Sequence, residues 1–85
     1  MEKETVQQYV EKNISLISNN CTSLVELDHI TNLCMSIVNT RDNVMRGGSF
    51  VQAICNNDLQ GAIQRADSTT INALRLFVNV YLYLH

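Results

Sequence analysis

The chain has 85 residues, a net charge of -2 at neutral pH and six Lys and Arg residues against eight Asp and Glu. This length is that of one small domain, which we place at residues 1–85. Affinity for nucleic acid normally rests on clustered Lys and Arg, so the charge argues against a nucleic-acid-binding protein. No run approaches the roughly 18 to 20 apolar residues that cross a bilayer, and the start lacks a secretory signal, so we expect a cytoplasmic protein away from membranes.

The cysteines indicate a reducing compartment. Cys21, Cys34 and Cys55 are odd in number and have no metal-binding or redox spacing. Free cysteines are usually packed as small apolar residues. We therefore expect Cys34 and Cys55 to be packed and unreactive.

The N-terminal half is predicted to be an antiparallel helical hairpin spanning residues 1–46. Apolar residues at helical spacing predict a first helix from Glu2 to about Ile17. Asn19-Asn20 is typical of a helix stop, and residues 23–26 form a capping-box pattern that would open the next helix. Because a link this short makes consecutive helices run antiparallel, the two should pack side by side. The apolar stripe of the first helix is Val6, Val10, Ile14 and Ile17.

The second predicted helix is the longest and runs from about Leu24 to Met45. Arg41 interrupts its apolar face near the end, where a helix dipole favours a cation. We interpret Arg41 as structural, with a packed stem and a guanidinium in solvent. The face itself consists of Leu27, Ile30, Cys34, Ile37, Arg41 and Val44.

Two short helices are predicted next, in the motif-bearing part of the chain at residues 47–85. Gly47-Gly48 would end the long helix, and residues 49–52 form a second capping-box pattern before a helix from Phe50 to about Cys55. Residues 56–58 would stop it. A second short helix should run from Leu59 to Ala66, with Leu59, Ala62 and Ile63 on one side.

The last predicted helix, from about Thr70 to Leu84 after a cap at Asp67 or Ser68, is apolar almost all the way round. Such a helix is either central in a bundle or part of an interface with a partner or another copy. A strand over Phe77 to Tyr83 is the alternative, but no second strand candidate exists to pair with it. The sequence therefore predicts an all-α fold, a single small bundle.

Two glycines beside an arginine form the most suggestive local motif. Arg46, Gly47, Gly48 and Ser49 precede a predicted helix start, where free N–H groups attract anions. An anion such as a phosphate would be held by Arg46, the Ser49 hydroxyl and backbone amides. The alternative interpretation, a helix stop followed by a cap, is favoured because the motif lacks the Lys and the spacing of a P-loop.

No catalytic or metal-binding constellation is visible in the sequence. His29 and His85 have no matching ligands, and no carboxylate pair shares an apolar face. Arg65 and Arg75 flank the last predicted turn, where ordinary helix capping explains them and a partner contact is the functional alternative. We expect no enzyme activity, no metal and no cofactor.

The segment GGSFVQAICNNDLQGAIQRAD, which begins at Gly47, followed by Asn72, Leu74, Val78, Tyr81 and Tyr83, resembles the C-terminal half of a family of small uncharacterised bacteriophage proteins. The resemblance covers a little under half of the chain. It implies a phage accessory protein acting in the bacterial cytoplasm, with no reaction attached.

Two functional hypotheses follow. In the first, the protein binds and inhibits a host bacterial protein, as an anti-CRISPR-like anti-defence protein would, with Phe77, Tyr81 and Tyr83 as aromatic anchors. In the second, a homo-oligomer sequesters an anionic nucleotide signal at Arg46 and the Gly47-Gly48-Ser49 turn. A phage structural or assembly component is a third reading.

Overall fold

The fold is all-α, as predicted. The computed structural model describes residues 2–17 and 24–84, apart from the side chain of Leu24, and over these residues it holds no β-strand. The strand alternative for the last segment is therefore wrong. The predicted stop at Asn19-Asn20, the cap at Ser23, and Cys21 and His85 lie outside the described residues. The helices are α1 (Lys3–Lys12), α2 (Leu24–Arg41), α3 (Ser49–Cys55), α4 (Leu59–Arg65), α5 (Ser68–Asn72) and α6 (Leu74–Tyr83), with a 3-10 turn at Ile14–Leu16.

α1 is shorter than predicted because the α-helix ends before Asn13 and a 3-10 turn follows. The Asn13 side-chain amide donates to the Tyr9 carbonyl at 2.8 Å, which closes the helix end, and the 3-10 turn follows. A 3-10 turn rotates the side chains by a different angle from an α-helix. Val6, Val10 and Ile17 are buried as expected, whereas Ile14 is exposed.

α2 forms the centre of the bundle and packs against α1, α3, α5 and α6. Its residues Ile30, Cys34 and Ile37 are fully buried, as the spacing predicts. The helix nevertheless ends at Arg41, four residues before the predicted end at Met45.

The early end of α2 comes from a left-handed residue. Asn43 has φ 61°, a conformation that Asn tolerates better than most residues. The N–H groups of Val44 and Met45 then both bond to the Asn39 carbonyl. The Val44 side chain is consequently 67% exposed and does not continue the buried face.

Arg41 joins the end of α2 to the end of α6. Its Nη1 donates to the carbonyl oxygens of Val80, Tyr81 and Leu84, while Nε and Nη2 bond to Asp42. The expectation of a guanidinium in solvent is wrong, since the side chain is only 14% exposed. Arg41 is structural, but it caps another helix rather than its own.

α3 and α4 begin in different ways. The predicted capping box of α3 does not form, because Gly48 is the N-cap and Ser49 is already helical. α4 is capped by Asp58, whose carboxylate accepts from the Gly61 N–H at 3.0 Å. Of the predicted inner face of α4 only Ala62 is buried; Leu59 and Ile63 are exposed.

The last predicted helix is two helices, broken at Ala73. Asp67 and Thr70 form a reciprocal capping box that starts α5, and α6 then begins at Leu74. One side of α6 is core: Phe77 is fully buried and packs edge-on against Phe50, with 5.6 Å between ring centroids. The other side carries exposed apolar residues. In the described part of the chain, none of the helices has the length and apolar content to cross a membrane.

Candidate functional site

A polar groove lies between the α2–α3 loop, α3 and the end of α6. Its volume is about 590 Å³, and Arg46 and Tyr81 both line it. Amide side chains of Asn43, Gln52 and Asn56 lie along the same walls. We call this concavity the Arg46 groove.

Arg46 is held in place at the rim of the groove by a chain of hydrogen bonds. Its Nη2 donates to Gln52 Oε1 at 3.2 Å, and Gln52 Nε2 donates to the Gly47 carbonyl at 2.8 Å. The Gly47 N–H in turn donates to Thr40 Oγ1 at 2.8 Å. The loop is thereby fixed to both α2 and α3. Ion pairs within the described residues involve Lys3, His29 and Arg41, so Arg46 has no carboxylate partner among them.

Of the four residues of the predicted anion site, Arg46, Gly47, Gly48 and Ser49, only one lines this groove. Arg46 lines it, whereas the two glycines and Ser49 do not. The Gly47 N–H is already bonded to Thr40, which leaves it no proton for an anion. The four-residue anion site stays a prediction, and the groove associates Arg46 with a different set of residues.

Tyr81 comes close to Arg46 through the tertiary fold. The sequence assigned the two residues to separate sites, an anion site and a partner interface. The bonds from Arg41 to the carbonyls of Val80 and Tyr81 hold the end of α6 against the end of α2, next to the loop that carries Arg46. No local sequence pattern signals this arrangement, because 35 positions separate Arg46 from Tyr81 in the numbering.

A second feature is an exposed apolar surface formed by α4 and α6. A shallow cleft of about 60 Å³ opens between α3, α4 and α6, and Leu59 and Val78 both line it. Leu59 is 65% exposed and Val78 is 45% exposed. Ile63 and Leu82, each four residues further along its helix, are exposed on the same helix faces. We call Leu59, Ile63, Val78 and Leu82 the α4–α6 face.

The residues predicted to form a partner interface do not share one exposed surface. Phe77 is a core residue with no exposed surface, so it cannot anchor a partner in this fold. Tyr83 is 65% exposed, and Arg75 is exposed one turn before Val78. Arg65 is exposed at the end of α4, where its Nη1 donates to the Gly61 carbonyl at 3.1 Å. Leu59, Ile63 and Leu82 were not predicted to be interface residues, since their spacing resembles that of core residues.

The thiols have the packed character that the sequence predicts. Cys34 is fully buried, and burial raises the pKa of its thiol to about 12. Cys55 is half-buried at the groove and donates to the Ile37 carbonyl at 3.6 Å. Burial raises the pKa of Cys55, partly opposed by the nearby Arg41 charge. Both thiols are therefore protonated at neutral pH and poorly nucleophilic.

His29 and Asp67 form a contact at the start of α5. His29 Nε2 lies 3.9 Å from Asp67 Oδ2 in an exposed pair. Backbone N–H donation from Thr70 lowers the pKa of Asp67, which fits its role as a helix cap. Within residues 2–17 and 24–84, no three His, Cys, Asp or Glu residues converge as a metal site would require.

Comparison of the chain with protein-family models, with curated proteins and with solved structures gave no match.

Proposed function

We propose that the chain is a non-enzymatic bacteriophage accessory protein that binds a host bacterial protein and inhibits it by covering part of its surface. The observation that carries the proposal is the α4–α6 face, where four large apolar side chains are exposed and two of them, Leu59 and Val78, line a shallow cleft. Exposed large apolar side chains that share a cleft are typical of interaction sites. The resemblance to phage proteins includes this part of the chain and supplies the host cytoplasm as the setting.

The chemistry of the face suits an apolar partner surface. Val78 and Leu82 have short or branched side chains that lose little rotamer entropy on binding, and the cleft beside Leu59 can accept one apolar side chain of the partner. Arg75 and Asp58 lie at the edge of the face and would provide polar contacts around it. An anti-defence inhibitor of the anti-CRISPR type is the concrete form of this proposal.

Affinity capture followed by reconstitution tests the proposal. The purified protein on a resin is exposed to a lysate of the host bacterium, retained proteins are identified, and each is purified and titrated with the chain by calorimetry. We expect Val78→Asp and Leu59→Asp to weaken binding at least about tenfold, because a carboxylate would be desolvated in an apolar contact.

Val25→Asp is the matched control, since Val25 is an equally apolar residue that is 80% exposed on α2. It changes the charge by the same amount and should leave the affinity unchanged. Equal effects at Val25 and Val78 would contradict the proposal, as would the absence of any host protein above background. Self-association through the face, seen by light scattering and abolished by Val78→Asp, would instead indicate a homo-oligomer.

A further inference from the structure

From the Arg46 groove we infer a second binding site on this chain, specific for a nucleotide: the phosphate would bind to Arg46, and the base would lie against Tyr81 and Met45. This site is independent of the α4–α6 face and of any host protein. It also differs from an anion site at the Gly47-Gly48-Ser49 turn, which the groove does not include.

The charge of the groove favours an anion. Arg41 is paired with Asp42, so its charge is compensated. Arg46 is exposed, and among the described residues its guanidinium makes one hydrogen bond, to Gln52. A guanidinium has five N–H donors, which leaves enough of them for a bidentate contact with a phosphate. The groove therefore carries an excess positive charge on a molecule whose net charge is -2.

The groove is mostly polar, but Tyr81 and Met45 give part of its wall an apolar surface that suits a planar ring with polar edges. Tyr81 is half-buried, and Val44 and Met45 extend into solvent from the loop because Asn43 turns the chain. Aromatic and methionine side chains are favourable contacts for planar rings. Side-chain amides such as that of Asn56 offer both donors and acceptors to the edge of a nucleobase.

The size of the groove agrees with this ligand class. A volume of about 590 Å³ lies inside the range of roughly 300 to 1,000 Å³ that small-molecule sites occupy. Inorganic phosphate alone would leave most of it unfilled, and a nucleoside alone would leave Arg46 without an anion. A nucleotide would contact Arg46 with its phosphate and Tyr81 with its base at the same time.

Calorimetry on the full chain tests the inference with a panel of the four ribonucleoside 5′-monophosphates, a cyclic dinucleotide and ADP-ribose. Adenosine and inorganic phosphate are titrated separately as the two halves of a nucleotide. We expect at least one nucleotide to bind more tightly than either half. Arg46→Gln should weaken nucleotide binding at least about tenfold, the usual effect of losing a charge-assisted hydrogen bond, and should leave adenosine binding unchanged.

Arg75→Gln is the matched control, because it removes the same charge from an exposed arginine of α6 that does not line the groove. It should bind nucleotide like the parent chain. Tyr81→Leu should weaken binding of nucleotide and of adenosine but not of phosphate. If that variant unfolds, Met45→Asp tests the same wall, since it changes an exposed side chain and adds a carboxylate beside the ligand.

Two results would overturn the inference. One is no binding of any panel member in the millimolar range. The other is equal weakening by Arg46→Gln and Arg75→Gln, which would indicate general electrostatic attraction. Val78→Asp, which damages the α4–α6 face, should leave nucleotide binding intact, so the inference and the proposed host-protein contact can fail separately.

Discussion

Arg41 Nη1 donates a hydrogen bond of 2.6 Å to the carbonyl oxygen of Leu84, across 43 positions of the chain. The same nitrogen also lies 2.9 Å from the Tyr81 carbonyl. The Tyr81 oxygen lies in the last turn of α6 and the Leu84 oxygen at its C-cap, where carbonyls have no intrahelical partner. One cation therefore satisfies the end of α6 and fixes it to α2.

Arg41→Met should destabilise the protein by about 2 kcal/mol or more. The methionine keeps an apolar stem but leaves part-buried carbonyls of α6 without a donor, and hydrogen bonds from charged groups contribute about 1.5 to 3 kcal/mol. Urea unfolding followed by circular dichroism measures the change.

Arg46→Gln provides the comparison for Arg41→Met, because Arg46 is exposed and bonded to one side chain. Surface substitutions of this kind usually change the free energy of unfolding by less than about 0.5 kcal/mol. Similar losses in both variants would contradict a special role for the Arg41 contacts.

Gly47 and Gly48 should respond differently to alanine. A Cβ at Gly47 would lie 2.6 Å from Val51 Cγ1 and 2.9 Å from Thr40 Oγ1, whereas a Cβ at Gly48 meets no atom within 4 Å. Gly47→Ala should therefore cost about 1 to 3 kcal/mol, the usual effect of overpacking. Gly48→Ala should be close to neutral, because its φ of -69° suits alanine while the N-cap position of α3 prefers glycine.

Thermal unfolding of the two glycine variants beside the parent chain checks this pair. For a domain of this size, a destabilisation of 1 kcal/mol lowers the melting temperature by roughly 4 to 8 °C. Equal melting temperatures for both variants would show that the loop moves away from Val51 without cost.

Asp67→Ala should lower the free energy of unfolding by about 1 kcal/mol at neutral pH, the usual effect of losing a helix cap. The Thr70 N–H lowers the pKa of the Asp67 carboxyl below its ordinary value of 3.8, so the ionised form is the one that stabilises the fold. This contribution is complete above the unfolded pKa and is lost as the pH falls through the lower folded pKa.

The difference in stability between the parent chain and Asp67→Ala should consequently narrow below about pH 4. Asp67→Asn is the control, because asparagine is also a good cap but carries no charge. Urea titrations at a series of pH values measure all three proteins. A pH-independent difference would show that the charge of Asp67 contributes nothing.

Much of the fold could be predicted because helical spacing and small polar stops are local signals. The positions of α3 and α4 agree with the prediction within about one residue. The predicted end of α2 was wrong, because Val44 and Met45 continue the apolar spacing while Asn43 turns the backbone. The break at Ala73 was also missed, since alanine favours helix and gives no local stop signal.

The candidate sites depend on contacts that sequence spacing does not contain. Arg46 was found because two glycines mark its loop, yet its neighbour Tyr81 depends on where Arg41 holds α6. Phe77 was predicted to anchor a partner because it is a large aromatic residue of a helix that is apolar almost all the way round. Only tertiary packing decides that Phe77 faces Phe50 while Val78 faces solvent.

The hydrogen bond from the Tyr9 hydroxyl to the Asn79 amide oxygen joins α1 to α6 across 70 positions. During synthesis α1 leaves the ribosome before α6 is made. The Tyr9–Asn79 hydrogen bond therefore cannot form while α2, α3 and α4 are being synthesised. Contacts between α3 and α4, or between α2 and α3, close much shorter loops and cost less chain entropy. Contacts between helices that are neighbours in sequence, including those of α1 with α2, therefore close at lower entropic cost, and the Tyr9–Asn79 hydrogen bond is added only when α6 is present.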